Sequence, residues 1–213
     1  MIHESRVYSQ NGEDGVLASI FAVIGTTNRI AVEFGVESGV QCNTRLLKEQ
    51  GWHTLWMDGT NYPGTDVRQE FIKIENIMPL LAKYDIPQHF DLLSIDIDGN
   101  DYWIWDAITA TPRVVVIEYN SSILPPQRKS ITYNPTFRWD GTEYYGASLS
   151  ALEALGRRKG YRLLYCDARG VNAFFVLTEL CGESFPATPI DQLYRRRRHR
   201  HRPDKRGRVM VDV

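Results

Sequence analysis

Apolar residues at 16, 17, 20, 21, 23 and 24 form one stripe along segment 12–24, which predicts an amphipathic helix. Ile30-Ala31-Val32-Glu33-Phe34-Gly35 then predicts a buried strand ending in a glycine turn, and Asn43-Thr44 a helix cap, with that helix running to Gln50 and stopping at Gly51. A second strand spans Trp52 to Met57 and ends at Asp58-Gly59. A weaker third lies near Glu70 to Ile74, before a helix that reaches Tyr84 with Pro79 early in it. Asp91 to Ile95 is the fourth strand, residues 101–109 a helix, and Arg113-Val114-Val115-Val116-Ile117-Glu118 the most continuous buried strand in the chain. Ser148 to Lys159 is again amphipathic. Tyr161–Asp167 and Asn172–Thr178 flank Ala168-Arg169-Gly170, short enough for a hairpin.

Strands alternating with helices predict an α/β fold: a Rossmann-like, seven-stranded, mostly parallel sheet with helices on both faces and a C-terminal antiparallel hairpin strand. Residues 1–194 make one domain in this reading. Loop 120–148 is too long for an ordinary connection and reads as a substrate lid. It carries Tyr133, Trp139, Tyr144 and Tyr145, aromatic faces suited to a sugar or a planar acceptor.

Composition changes this picture in one place. The net charge of −1 hides a body of about −8 joined to a basic tail, 195–213, with eight Arg and one Lys between Arg195 and Arg208. A like-charge block is usually solvated or docked on an opposite charge, so nucleic acid is not the expected partner. Three cysteines at unrelated spacings fit neither a disulfide framework nor a zinc site. With no apolar run long enough to span a bilayer, the expectation is a soluble, cytoplasmic chain acting on a small molecule, without a membrane partner. Nothing in the sequence excludes a homo-oligomer.

The candidate chemistry sits at strand ends. Glu33-Phe34-Gly35-Val36-Glu37-Ser38-Gly39 spaces its glycines G-x-x-x-G, without the three-glycine pyrophosphate cradle of dinucleotide sites. Gly35 and Gly39 allow close backbone approach to a ligand, and the following helix N-terminus would take a carboxylate. Glu33, two residues before the first glycine, suits a cationic aminoacyl group and would repel a pyrophosphate, and Glu37 is a further cofactor-binding candidate. Asp58, closing strand two, is placed to accept from both ribose hydroxyls. Together these predict S-adenosylmethionine. Glu75 is either an adenine or ribose contact or the first-turn acid of its helix. Asp96 and Asp98 end strand four, and Glu118 and Asn120 end strand five, so they should converge beside the transferred methyl group. Asp96, Glu118 and Asn120 are hard oxygen ligands suited to Mg2+ or Mn2+. Without a metal, one of Asp96, Asp98 and Glu118 would act as general base. Asp101 reads as a helix N-cap.

Ser9-Gln10-Asn11-Gly12-Glu13-Asp14, Val32-Glu33-Phe34-Gly35, Ser94-Ile95-Asp96-Ile97-Asp98-Gly99 and Ile117-Glu118-Tyr119 together resemble the FkbM-type class I methyltransferases over roughly residues 7–178. Asp98 departs from the glutamate usual there. The resemblance implies O-methylation of sugars or other natural-product hydroxyls, with Gln10 and Glu13 folding over the cofactor. Two rival readings stand beside it. Asp96-Ile97-Asp98 is a D-x-D that would serve a metal-dependent nucleotide-sugar glycosyltransferase, and the basic tail would serve an RNA-binding module.

Overall fold

The computed structural model describes residues 2–197 and 201–213. In chain order it forms α1 (Glu13–Ile24), β1 (Ile30–Phe34), α2 (Arg45–Glu49), β2 (His53–Asp58), β3 (Arg68–Gln69), α3 (Ile77–Lys83), β4 (His89–Ile95), α4 (Asp101–Ala107) and β5 (Thr111–Glu118). There follow β6 (Lys129–Ser130), α5 (Leu149–Arg158), β7 (Tyr161–Cys166), β8 (Asn172–Leu177), α6 (Thr178–Cys181), α7 (Ile190–Leu193) and β9 (Val211–Asp212). Among the described residues, no helix is long and apolar enough to cross a membrane.

The main sheet has seven strands in the order β3-β2-β1-β4-β5-β8-β7. Strands β1 to β5 run parallel, and β8 lies antiparallel to both β5 and β7. This is the Rossmann-like arrangement with a closing antiparallel hairpin that the alternation of elements predicts. Between β1 and β4 the strand order reverses, and ligands of open α/β sheets gather outside the carboxyl ends at such a switch.

Side chains alternate between the two faces. Val32, Phe34, Leu93, Ile95, Val115, Ile117 and Phe175 pack with apolar residues of α3, α4 and α5. Ala31, Leu92, Val114, Val116, Phe174 and Val176 pack on the other face with Val16, Leu17, Ile20 and Phe21 of α1. The same alternation puts Glu33, Ser94, Asp96, Glu118 and Asn172 on the α1 face, at the carboxyl end. A polar row therefore caps an apolar one.

Three local expectations change. β3 is Arg68–Gln69, not 70–74: it pairs only with Met57 and Asp58 at the sheet edge, and the chain then bends inward to bury Ile72. α2 is five residues long, and neither Asn43 nor Thr44 caps it. Instead the Glu33 carboxylate accepts from Asn43 N, Thr44 N and Thr44 Oγ1, at 2.8, 2.8 and 2.6 Å. Asp101 is not an N-cap either. Its carboxylate accepts from Ile97 N and Gly99 N at 2.9 and 2.8 Å and so braces the turn after β4.

The basic segment is docked. Tyr119 Oη donates to the Arg195 carbonyl at 2.6 Å, and Arg197 pairs with Glu118 at 3.3 Å. Arg206 and Arg208 reach Asp140 at 3.2 and 2.9 Å, and Arg208 lies over the Tyr144 ring. β9 then pairs with β6 inside the long loop, so the segment clasps 120–148. Arg198, His199 and Arg200 lie outside the described residues. Deletion of 195–213 should cost about 3 kcal/mol or more, because it strips the buried Glu118 of its counter-charge. Urea unfolding of the truncated chain checks this, and an unchanged midpoint would mean that the clasp contributes nothing.

Candidate active site

A cavity of about 550 Å3 opens along the carboxyl ends of β2, β1, β4 and β5 and the amino end of the antiparallel β8. Its lining includes Gln10, Glu13, Glu33, Gly35, Glu37, Asp58, Asp96, Asp98 and Glu118, so most of the predicted polar residues meet there. Among the described lining residues, eight carboxylates face only two guanidiniums, those of Arg138 and Arg197.

At the β2 end, Asp58 Oδ2 accepts from Glu37 N at 3.0 Å and Oδ1 from Thr60 N at 2.7 Å. Each oxygen keeps a further lone pair for a ligand. Phe71, Ile72 and Tyr62 form the wall beside it. Glu75 is not part of that wall. Its carboxylate accepts from Tyr133 Oη at 2.8 Å, which pins the long loop. Glu70 lies on the wall, but its carboxylate is bound by Lys83 and Tyr84.

The glycine turn works differently from the expectation. A Cβ on Gly35 would fall 1.6 Å from the Asp96 carbonyl oxygen, so its missing side chain is demanded by β4, not by a ligand. At Gly39 a Cβ would meet the Trp56 ring at 2.8 Å. Gly39 is absent from the cavity lining. The N-terminus of α2 already has its anion, because Glu33 occupies the amides of Asn43 and Thr44. It holds no ligand carboxylate, and Glu33 is an anchor rather than a partner for an aminoacyl group. Burial raises its pKa, while those hydrogen bonds act against the rise. Glu37 and Asp98 are the two lining residues other than glycine with positive φ, at 51° and 56°. Such strain gathers at ligand sites.

The Gln10 to Asp14 segment is a clasp. Asp14 Oδ2 gathers the amides of Val7, Tyr8 and Ser9 at 2.8 to 2.9 Å. Glu13 accepts from Asn11 N and from Asn172 Nδ2, tying α1 to β8. Gln10 and Glu13 line the cavity.

At the β4–β5 end, Asp96, Asp98 and Glu118 each offer an oxygen within 4.8 Å of the others. Burial first, then the Glu118 and Asp98 charges, push the Asp96 pKa well above its ordinary range. Glu118 is raised well above its own by burial and by Asp98 and Asp101, with Arg197 acting against the rise. Burial and Asp101 lift Asp98 to about 6. Asn120 does not join them. Its Nδ2 donates to the Glu143 and Tyr145 carbonyls at 2.8 and 2.9 Å, and its Oδ1 accepts from Ser122 N. Asn120 is also absent from the cavity lining, so its amide fastens the loop and is not placed beside the three carboxylates.

The aromatic residues divide. Trp139 lines the cavity, its Nε1 donating to Thr142 O at 2.8 Å, and Phe137 and Arg138 lie beside it. Tyr133, Tyr144 and Tyr145 are not in the lining. Tyr144 lies under Arg208, and Tyr145 Oη accepts from Arg197 at 3.3 Å. His201 packs edge-on against Trp139 and Tyr145 and accepts from Arg197 at 2.6 Å. Burial and Arg197 lower its pKa, which keeps it neutral.

Sequence reasoning missed Asn172 and Arg197. Asn172 carried a weak signal: it opens a strand otherwise apolar on that face. Arg197 carried none, standing in a run of identical neighbours.

No family model matches the chain, and no curated protein matches it. Similar solved structures include two of one domain. The N-terminal domain of EvdMO1 with SAH bound shares 13% identity, covering 79% of this chain and 80% of that one, with a TM-score of 0.45. The same domain in the presence of SAH and D-fucose shares 12%, covering 77% and 81%, also with a TM-score of 0.45. A likeness this weak says nothing about the chemistry of this cavity, which rests on its own residues.

Proposed function

We propose that the chain is an S-adenosylmethionine-dependent methyltransferase, FkbM-like, that O-methylates a hydroxyl of a small molecule such as a sugar or natural product. One observation carries the reading: a single cavity joins Asp58, at the end of β2, to the carboxylates at the ends of β4 and β5. At about 4.8 Å per strand, β2 to β4 is about 10 Å. A nucleoside held by Asp58 thus places its far end beside Asp96. A volume of about 550 Å3 lies within the usual range for a cofactor-sized ligand.

The bound cofactor would supply an electrophilic methyl group on a cationic sulfonium. The chain would do the rest. Asp58 accepts from the ribose hydroxyls, while Phe71 and Ile72 cover the base. Phe137 and Trp139 shield the acceptor end from water. Asp98, lifted to about 6, is matched to receive the acceptor's proton near neutral pH. The donor set also fits a hard divalent cation: Asp96, Asp98 and Glu118 would hold Mg2+ or Mn2+, which would acidify and orient the hydroxyl. Glu118 Oε2, buried and without a hydrogen-bond partner among the described residues, favours that fit.

The acidic lining favours a cationic ligand and opposes a nucleoside diphosphate, although Asp96 and Asp98 do stand together as a D-x-D glycosyltransferase site requires. The RNA-binding reading is weakened by the pairing of Arg197, Arg206 and Arg208 with the chain's own carboxylates. In this reading residues 1–194 are one catalytic unit, which 195–213 clasps. The test is calorimetry with S-adenosylhomocysteine, NAD and UDP-sugars: binding of the first alone supports the proposal.

A further inference from the structure

The register carries one row past the last residues of the parallel strands. Phe34 pairs with Ile95, Ile95 with Ile117 and Ile117 with Ala173. The next row is Gly35, Asp96, Glu118 and Asn172, and the ladder sets Glu118 directly opposite Asn172. Side chains of such a pair leave the sheet on the same face, about 5 Å apart at Cβ.

Both members of this pair are 3% exposed, and both line the cavity. Each also keeps one buried oxygen, Glu118 Oε2 and Asn172 Oδ1, that no donor among the described residues reaches. The sense of the Asn172 amide is not arbitrary. Its Nδ2 donates to Glu13 Oε1 at 2.9 Å, and a carboxylate would repel the amide oxygen there. Glu13 is itself fully buried and held by Asn11 N and Asn11 Nδ2 at 2.7 and 3.0 Å. The carbonyl end of Asn172 is thereby fixed away from Glu13.

Charge supplies the second argument. Asp96, Asp98 and Glu118 bring three carboxylates together, and among the described residues only Glu118 has a salt-bridge partner, Arg197 on its Oε1. Asp96, partly buried, and Asp98, exposed, stand close beside it without a counter-charge of their own. A divalent cation would relieve that crowding of like charge. A neutral hydroxyl, donating to the same oxygens, would leave it in place.

We propose that Asn172 Oδ1 is a fourth oxygen ligand of a divalent cation held by Asp96, Asp98 and Glu118, and that Glu13 is the positioning residue that aims it. This rests on the metal-assisted form of the methyltransferase reading. Asn172, one strand over, thus fills the role that sequence reasoning gives to Asn120. A neutral amide oxygen beside three carboxylates makes an all-oxygen set for a hard cation, and the remaining positions are open to water or an acceptor hydroxyl.

The experiment is a calorimetric titration of the full chain with Mn2+, alone and with S-adenosylhomocysteine. Wild-type protein should bind one Mn2+. Asn172→Ala and Glu13→Gln should each weaken that binding at least tenfold, the loss typical of removing a ligand or the group that orients it. Asn172→Ala should leave S-adenosylhomocysteine affinity unchanged, which also reports that the variant is folded. If Asn172→Ala fails to fold, Glu13→Gln decides the matter. Equal Mn2+ affinity in the deciding variant, or no binding by wild type, overturns the proposal. Loss of S-adenosylhomocysteine binding in wild type, with Mn2+ still bound through Asn172, would instead sink the methyltransferase reading and leave the metal site standing.

Discussion

Asp96→Asn is expected to lower methyl transfer about a hundredfold, the scale of a misplaced reacting group, because Asp96 helps to orient the acceptor hydroxyl whose proton Asp98 receives, while leaving S-adenosylhomocysteine affinity intact. The substitution keeps the shape of the side chain and removes only its charge. Burial and the charges of Glu118 and Asp98 already press the Asp96 carboxyl towards its neutral form. A neutral amide should therefore be tolerated, and the variant should melt at or above the wild-type temperature. Chemistry and stability thus move in opposite directions, which a folding defect cannot imitate. The measurement is transfer of labelled methyl from S-adenosylmethionine into a panel of polyhydroxylated acceptors, beside a thermal melt. Wild-type turnover in Asp96→Asn would remove the cluster from the chemistry.

The second large effect is on folding. Gly35→Val should yield no soluble folded protein. The side chain would run into the Asp96 carbonyl, and a backbone oxygen within the sheet cannot step aside without parting β1 from β4. The φ of +75° compounds this, since a β-branched residue strongly disfavours the left-handed region. Even Gly35→Ala should cost more than about 4 kcal/mol, the scale at which a single change becomes diagnostic of one severe clash. Chemical unfolding of the alanine variant checks the claim. If it has wild-type stability but has lost S-adenosylhomocysteine binding, Gly35 is small for the ligand after all.

The reading of Gly35 shows where sequence reasoning holds and where it stops. Periodicity made the order of strands and helices legible, because a residue facing the core must be apolar whatever its partner. It also put Asp58, Asp96, Asp98 and Glu118 at strand ends, and in a parallel sheet those ends share one edge. What it could not show is what a polar group is already doing. Glu33 looks free for a cationic ligand, yet it holds the amides of Asn43 and Thr44. Asn120 looks like a metal ligand, yet its amide fastens the loop. Glu75, Tyr133, Tyr144 and Tyr145 are likewise taken up by contacts far apart in the chain. Conversely, the pairing of Glu118 with Asn172 depends on hairpin register, and that of Glu118 with Arg197 on the path of the C-terminal segment. Neither leaves a local pattern in the sequence.

The central claim is that the cavity holds a nucleoside with a cationic sulfur chain and not a pyrophosphate. Isothermal calorimetry of the purified full chain against S-adenosylhomocysteine, NAD and a UDP-sugar, with Mg2+ present, tests it most directly. Saturable one-to-one binding of S-adenosylhomocysteine, lost in an Asp58→Ala variant, with no heat from the other two, is the result predicted. Saturable binding of NAD or the UDP-sugar, with none of S-adenosylhomocysteine, would contradict it.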